Sequence, residues 1–467
     1  MASQLSRRAF LQYATLGSSA LAMSWWSPLA VAGWETVPSI LARIRPPVFP
    51  KRDFNIAKYG AVGDGIKDCS EAIRQAIAAC SRAGGGRVVV PAGSFLTGAI
   101  HLRSGVNLHV SSGATLRFSQ DPRLYLPAVY TRWEGVECMS YSSFIYALDQ
   151  ENVAVTGAGT LDGQANAENW WWWNGSAQYG GSRDKPNQIA ARSRLIKMGE
   201  SDTPVSERTF GEGSYLRPNF VQFYRCRNVL IDGVTVRNSP MWQIHPVLCT
   251  NVTVRRVSVI SHGPNNDGCN PESSRDVLIE DCFFDTGDDC IAIKSGRNRD
   301  GRRVATPSEN IVIRNCRMKE GHGGVTIGSE ASGGVRNVFA ENCLMDSPNL
   351  DRALRLKTNS VRGGFIENVF MRNVTVGQVA DAILSINLFY EEGDAGAFPP
   401  AVRNIEMINV SSRKSKYALY LRGYKHTPIR GIRLAQCSFD NVAQADVVEN
   451  VDGLVLDGVK VNGQIRR

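Results

Sequence analysis

A short phrase of alternating apolar and polar residues recurs along most of the chain. It opens on Asn, Asp or Gly, runs through three or four β-formers, and ends in a turn. The phrase begins at Asn228, Asn251, Asp276, Asn310, Asn337, Asn368, Asn404, Gly431 and Gly453, with earlier relatives at Asn107 and Asn152. Successive starts lie 22 to 36 residues apart. Period-two alternation predicts half-buried strands. Further short strands fill the gaps, such as Thr235–Arg237 and Cys282–Phe284, and no 3.6-residue period does. Strands repeating at this interval predict a parallel β-solenoid, because one coil cannot bury its inner face without stacking on the next. The recurring Asn suits a turn position of positive φ, where its amide can bond to its copy in the neighbouring coil. A β-propeller would need a ~40-residue period with Gly-His and Trp-Asp signatures, and these are absent.

One helix stands out against this rhythm, over residues 68–83. Asp68 and Glu71 have capping-box spacing, Ala72, Ile73, Ala76, Ile77 and Ala79 form one apolar face, and Gly84, Gly85 and Gly86 stop it. It is expected to cap the open edge of the first coil. Residues 33–50 read as a leader, and 51–467 as one solenoid domain. Two stretches break the rhythm: 164–217, which holds Trp170 to Trp173, and 389–402. Insertions in a solenoid emerge on one face, often the binding face. One of the four tryptophans is a candidate for sugar stacking.

Composition narrows the class. The chain has 467 residues, 43% of them apolar and 21% charged, which describes a folded protein and not a disordered one. No apolar run in the body reaches the ~18 residues of a membrane span. Residues 1–32 carry Arg7-Arg8 before Phe10-Leu11, then a weakly apolar stretch ending in Ala30-Val31-Ala32. That predicts a twin-arginine export signal, and a periplasmic or secreted bacterial protein with no membrane segment once mature. Removing the two arginines of 1–32 takes the net charge from +9 to +7, a balance that suits solubility and can steer a polyanion. No basic cluster is interleaved with aromatics, so nucleic acid is not expected as a partner. The eleven cysteines contain no Cys-x-x-Cys pair. No metal or cofactor is therefore expected. Those at 226, 249, 269, 282, 290, 316 and 343 look like interior ladder positions, and folding before export in a reducing cytoplasm predicts free, buried thiols. A monomer is expected.

The candidate chemistry lies in four motifs: Asn265-Asn266-Asp267-Gly268, Gly287-Asp288-Asp289-Cys290, Gly321-His322-Gly323-Gly324, and Arg355-Leu356-Lys357. Each follows the last by about one coil, so stacking strands ~4.8 Å apart would bring them into one column. Adjacent carboxylates cannot all ionise cheaply: one should keep its proton as general acid while another stays anionic. Arg355 and Lys357 alternate by two and leave the same side of a strand. Cations beside an acid cluster suit a substrate with its own carboxylate. Taken alone, the Asp288-Asp289 pair also fits a turn, or a calcium loop beginning at Asp285. Of the other histidines, 101, 109, 245, 262 and 426 are expected to be structural, with His245 and Trp242 as candidate pocket walls.

These four motifs, in this order, resemble the polygalacturonase family, glycoside hydrolase family 28, and the likeness runs over nearly the whole chain after residue 32. It implies a right-handed parallel β-helix and hydrolysis of galacturonosidic bonds with inversion. It implies Asp288 as general acid, Asp267 and Asp289 as holders and activators of water, and His322 as the group that tunes the acid. Arg355, Lys357, Tyr390, Asn265 and Trp242 would contact a pectic polysaccharide or oligogalacturonate. Asn266 departs from the family pattern, which bears on specificity. The Ser295–Arg303 segment resembles exo-acting bacterial members, against the open groove that would suit endo cleavage. Hydrolysis of rhamnogalacturonan or xylogalacturonan is the neighbouring alternative within the family. A pectate lyase would lack the His and Arg-x-Lys motifs, and a non-catalytic tailspike-like solenoid would not need the acid set.

Overall fold

The computed structural model describes residues 33–466; residues 1–32, where an export signal is expected, lie outside the described residues. Strand follows strand in parallel register, each coil laid on the one before. The inward position after each recurring Asn makes a continuous column: Val229, Val252, Val277, Ile311, Val338, Val369, Ile405 and Ile432 pair one to the next. All eight are buried. This column is the core that no single coil could bury. The architecture is a parallel β-helix.

The turn asparagines behave as their φ tolerance dictates. Asn228, Asn251, Asn310, Asn337, Asn368 and Asn404 have φ between 56° and 60°. Each amide reaches its neighbour: Asn337 Nδ2 donates to Asn310 Oδ1 at 3.1 Å, Asn368 to Asn337 at 3.0 Å, and Asn404 to Asn368 at 2.6 Å. Gly431 and Gly453 continue the column at φ 64° and 74°, where no side chain is left to bond.

The helix over 68–83 is present as α2, Ser70–Arg82, with Ala72, Ile73, Ala76 and Ile77 buried against the first coils. Its start differs in detail. Asp68 Oδ1 accepts from Ser70 N at 2.8 Å, but Glu71 turns to Arg74 and Gln75, so the capping box is half made. Residues 33–50 do more than lead in. Helix α1, Val37–Arg43, lies on the outer flank of coils two hundred residues later in the chain. Arg43 pairs with Asp276 at 2.8 Å, and the backbone of Arg45 exchanges two hydrogen bonds with the Asn251 amide.

The 164–217 insertion contains a helix, α3, Ile189–Glu200, where no helical period was apparent. Its buried positions, Ala191, Leu195 and Gly199, make one narrow stripe of mostly small residues while Ile189 stays exposed, so the pattern is weak. Ala191 and Leu195 pack against the Val129–Trp133 and Val136–Ser140 hairpin. Two of the four tryptophans serve packing, and Trp171 and Trp172 stay partly exposed. Trp170 and Trp173 are buried against Tyr125, Phe144 and Tyr141, while Trp171 Nε1 donates to Ser239 O at 2.8 Å. A Cβ on Gly263 would come within 2.3 Å of the Trp171 indole, so only glycine fits beneath it. All eleven cysteines are free and buried. Among the described residues no helix is long and apolar enough to cross a membrane.

Candidate active site

The site forms on the sheet face built from the strands Ile244–Val247, Ile291–Ile293, Val325–Gly328, Arg352–Lys357, Ala382–Asn387 and Tyr417–Arg422. Register brings the motifs together just before those strands begin. Gln243 N donates to Asp267 O, Gly268 N to Asp289 O, and His322 N to Asp288 O. Trp242, Asp267, the Asp288-Asp289 pair and His322 thus sit on consecutive coils. Arg355 and Lys357 do not share that phase. They pair with Thr326 and Gly328, a few residues further along the strand than His322, and their length returns them to the acids. Arg355 Nη1 lies 3.2 Å from Asp289 Oδ1, and Lys357 Nζ 2.8 Å from Asp289 Oδ2. Both cations therefore hold a carboxylate of the chain itself.

The three aspartates occupy different environments. Asp289 is buried, with Thr326 Oγ1 donating to Oδ1 at 2.8 Å beside its two cations. Although burial opposes ionisation, Lys357 and Arg355 hold its carboxyl far below the usual range. Asp288 accepts from its neighbour's Asp289 N at 2.9 Å and lies 3.0 Å from His322 Nδ1, all on Oδ1. Burial works against its ionisation, yet the His322 hydrogen bond lowers it; the same contact raises His322 above its ordinary value. Asp267 receives Asn270 Nδ2 at 2.7 Å, also on one oxygen, with Lys294 at 3.5 Å. Burial and the neighbouring Asp288 push its carboxyl well up. Burial thus favours the protonated form most strongly at Asp267, whereas the general-acid role expected of Asp288 needs the proton there. Asp267 and Asp288 each keep one oxygen unengaged by the protein, while both oxygens of Asp289 are occupied.

A cavity of about 190 Å³ opens over this cluster. Trp242 and Asn265 line it, and Tyr390 hangs over Lys357 and Arg355 with its ring centre 5.3 and 5.9 Å from them. Asn265 Oδ1 accepts from Arg217 at 2.7 Å. Arg217 is wholly buried with no carboxylate partner among the described residues, and burial lowers it to about 10. Two expectations are corrected. His245 is not a pocket wall: it is buried behind Trp242, T-shaped to it at 4.9 Å, and bonded to Glu272 at 2.7 Å. Asn266 does not face the cavity either. Its buried amide clips the turn, accepting from Gly263 N at 2.9 Å and donating to Met241 O at 3.2 Å.

Several cavity residues escaped sequence reasoning. Lys294 reaches Glu330 at 3.1 Å and lies over Trp242 at 4.6 Å. Its signal was a lone cation ending the apolar run Cys290-Ile291-Ala292-Ile293. Glu330 and Arg297 pair at 3.2 Å, and Arg192 of α3 reaches Glu134 at 2.6 Å. These come from four separate segments, and no local pattern joins them. Beside the site, His262, Asp285 and Glu320 cluster closely enough for a cation, but Lys319 Nζ is already 2.9 Å from Asp285.

The family model for glycosyl hydrolases family 28 matches residues 207–459, which hold the whole acid cluster. The chain belongs to glycosyl hydrolases family 28. A second model, described as rhamnogalacturonase A/epimerase, pectate lyase-like, matches residues 54–115 at the capped end. The crystal structure of an exopolygalacturonase from Thermotoga maritima is 46% identical, with a TM-score of 0.90 over 92% of this chain and 96% of that one. An exo-poly-alpha-D-galacturonosidase of Dickeya chrysanthemi is 29% identical over 73% of this chain and 58% of its own length. A probable polygalacturonase of Vitis vinifera is 28% identical over 84% of this chain and 75% of its own. The family 28 chain is thus a glycoside hydrolase, and the acid cluster is its candidate catalytic centre.

Proposed function

We propose that this family 28 enzyme hydrolyses the α-1,4-galacturonosidic bonds of polygalacturonate and oligogalacturonates with inversion, working from a chain end. The observation that carries the reading is the pair of unengaged oxygens on Asp267 and Asp288, set beside a Lys357–Arg355 cation pair in one cavity. Asp267 and Asp288 share one proton as a coupled pair. In the productive state it sits on Asp288, whose free oxygen protonates the glycosidic oxygen as the bond to the anomeric carbon breaks. Water held at Asp267 and Asp289 attacks that carbon and yields its proton to the carboxylate cluster. His322 holds Asp288 in place. Lys357 and Arg355, released in part from Asp289, take the sugar carboxylate under Tyr390.

Exo action follows from the insertions. Arg192 of α3 and Glu391 of the 389–402 segment both reach the cavity and narrow the groove that a bare solenoid would leave open. The 46% identity to an exopolygalacturonase supports the same reading. The twin-arginine motif and the free thiols support export of a folded monomer to the periplasm or beyond; cell fractionation and sedimentation test this. The activity is tested by product analysis on polygalacturonate with ultraviolet absorbance followed in parallel. Saturated mono- or digalacturonate supports the reading, and rising absorbance would indicate a lyase instead.

A further inference from the structure

A second cavity, of about 230 Å³, adjoins the first and shares Arg355, Lys357 and Tyr390 with it. It runs onto the next two coils. In register, Arg355 is followed by Ser385 and then Tyr420, and Lys357 by Asn387 and then Arg422. Two strand spacings carry it about 10 Å past the Arg355–Lys357 pair. Its far wall is Tyr417 and Tyr420, ring centres 5.4 Å apart, with the Lys416 ammonium 5.0 Å over the Tyr417 ring.

The cations of this cavity are not equivalent. Arg355 and Lys357 are committed to Asp289, and Arg352 to Asp381 at 2.6 Å. Lys416 pairs with no carboxylate among the described residues, although backbone bonds of 2.9 and 2.8 Å from Lys416 N and Tyr417 N to Asp381 O fix its stem. An exposed lysine beside two half-buried tyrosines offers an aromatic face for a sugar ring and a charge for its carboxylate.

We infer that Lys416, Tyr417 and Tyr420 form a distal subsite for the retained part of the substrate, taking a galacturonate unit beyond the one held by Arg355 and Lys357. This rests on the exo reading: the terminal sugar enters the end narrowed by Arg192, and the remaining chain leaves over the C-terminal coils. The subsite would give the enzyme a preference for longer oligomers that the catalytic cluster alone does not supply.

The test compares kcat/KM on digalacturonate and tetragalacturonate for the wild-type protein, Lys416→Ala, Tyr420→Ala and Tyr420→Phe, with titration calorimetry of tetragalacturonate. Lys416→Ala and Tyr420→Ala are expected to lower the tetramer-to-dimer ratio about tenfold, mainly through KM, and Tyr420→Phe to restore it. Equal losses on both oligomers, or no change, would overturn the inference. A wild-type protein that cleaved neither oligomer would refute the proposed activity, while the calorimetry would still decide the subsite: equal tetramer affinity in wild type and Lys416→Ala overturns it.

Discussion

Asp288 and His322 share one hydrogen bond at 3.0 Å, and its consequence reaches the pH profile. The contact raises the His322 pKa, so the imidazolium persists to a higher pH than a free histidine allows. Activity should fall as pH rises through that raised value, and His322→Asn should remove this limb of the kcat profile. An unchanged alkaline limb in the variant would assign it to another group. Asp288→Asn keeps the shape and loses the proton. It should lower kcat by 10² to 10⁴-fold, as loss of general acid catalysis does, with little change in KM. Lys294 makes a prediction about stability. It is buried between Glu330 and Asp267, and Lys294→Met removes the cation they share, leaving Glu330 with Arg297 alone and Asp267 with no cation within 4 Å among the described residues. Breaking such a buried arrangement costs about 3–5 kcal/mol, readable as a lower denaturant midpoint. A midpoint within error of wild type would mean that these carboxyls simply take up protons.

At the scale of elements, the asparagine column and the insertions stand at opposite ends of legibility. The column was readable because one local rule, a turn at positive φ with a small amide, repeats at every coil. Asn337 makes it testable, since it donates to Asn310 and accepts from Asn368. Asn337→Gly keeps the φ of 57° and loses the bonds, at about 1–2 kcal/mol. Asn337→Ala adds left-handed strain of about 1–2 kcal/mol more. Thermal unfolding should rank wild type above Gly above Ala; equal losses would mean that strain plays no part. The insertions obey no repeated rule. Helix α3 and the tryptophan run take their conformation from partners such as Tyr125, Phe144 and the 129–140 hairpin, which lie far away in sequence. The site divides in the same way. Asp267, Asp288, Asp289, His322, Arg355 and Lys357 stand in coil-spaced motifs and could be read. Arg192, Arg297, Glu134 and Glu330 meet only in the fold. The upward push on the Asp267 carboxyl was not readable either, because it comes from its burial and from Asp288 on the neighbouring coil.

For the whole molecule, stability comes from stacked coils and not from crosslinks. All eleven cysteines are free and buried, and burial pushes thiols such as Cys80 up to about 11, away from reactive thiolate. Unfolding midpoints with and without dithiothreitol should therefore coincide, and a clear drop with reductant would reveal a disulfide. On the proposed reading the same stack gives the substrate a direction: Arg192 and Glu391 of the two insertions line the catalytic cavity, and the adjoining cavity leads away over the later coils. The most direct measurement of this account is the time course of products from polygalacturonate, with viscosity recorded alongside and Asp288→Asn as control. The account predicts saturated mono- or digalacturonate from the first sample, viscosity barely falling, and neither change in the variant. A ladder of oligomers with rapid loss of viscosity would contradict it.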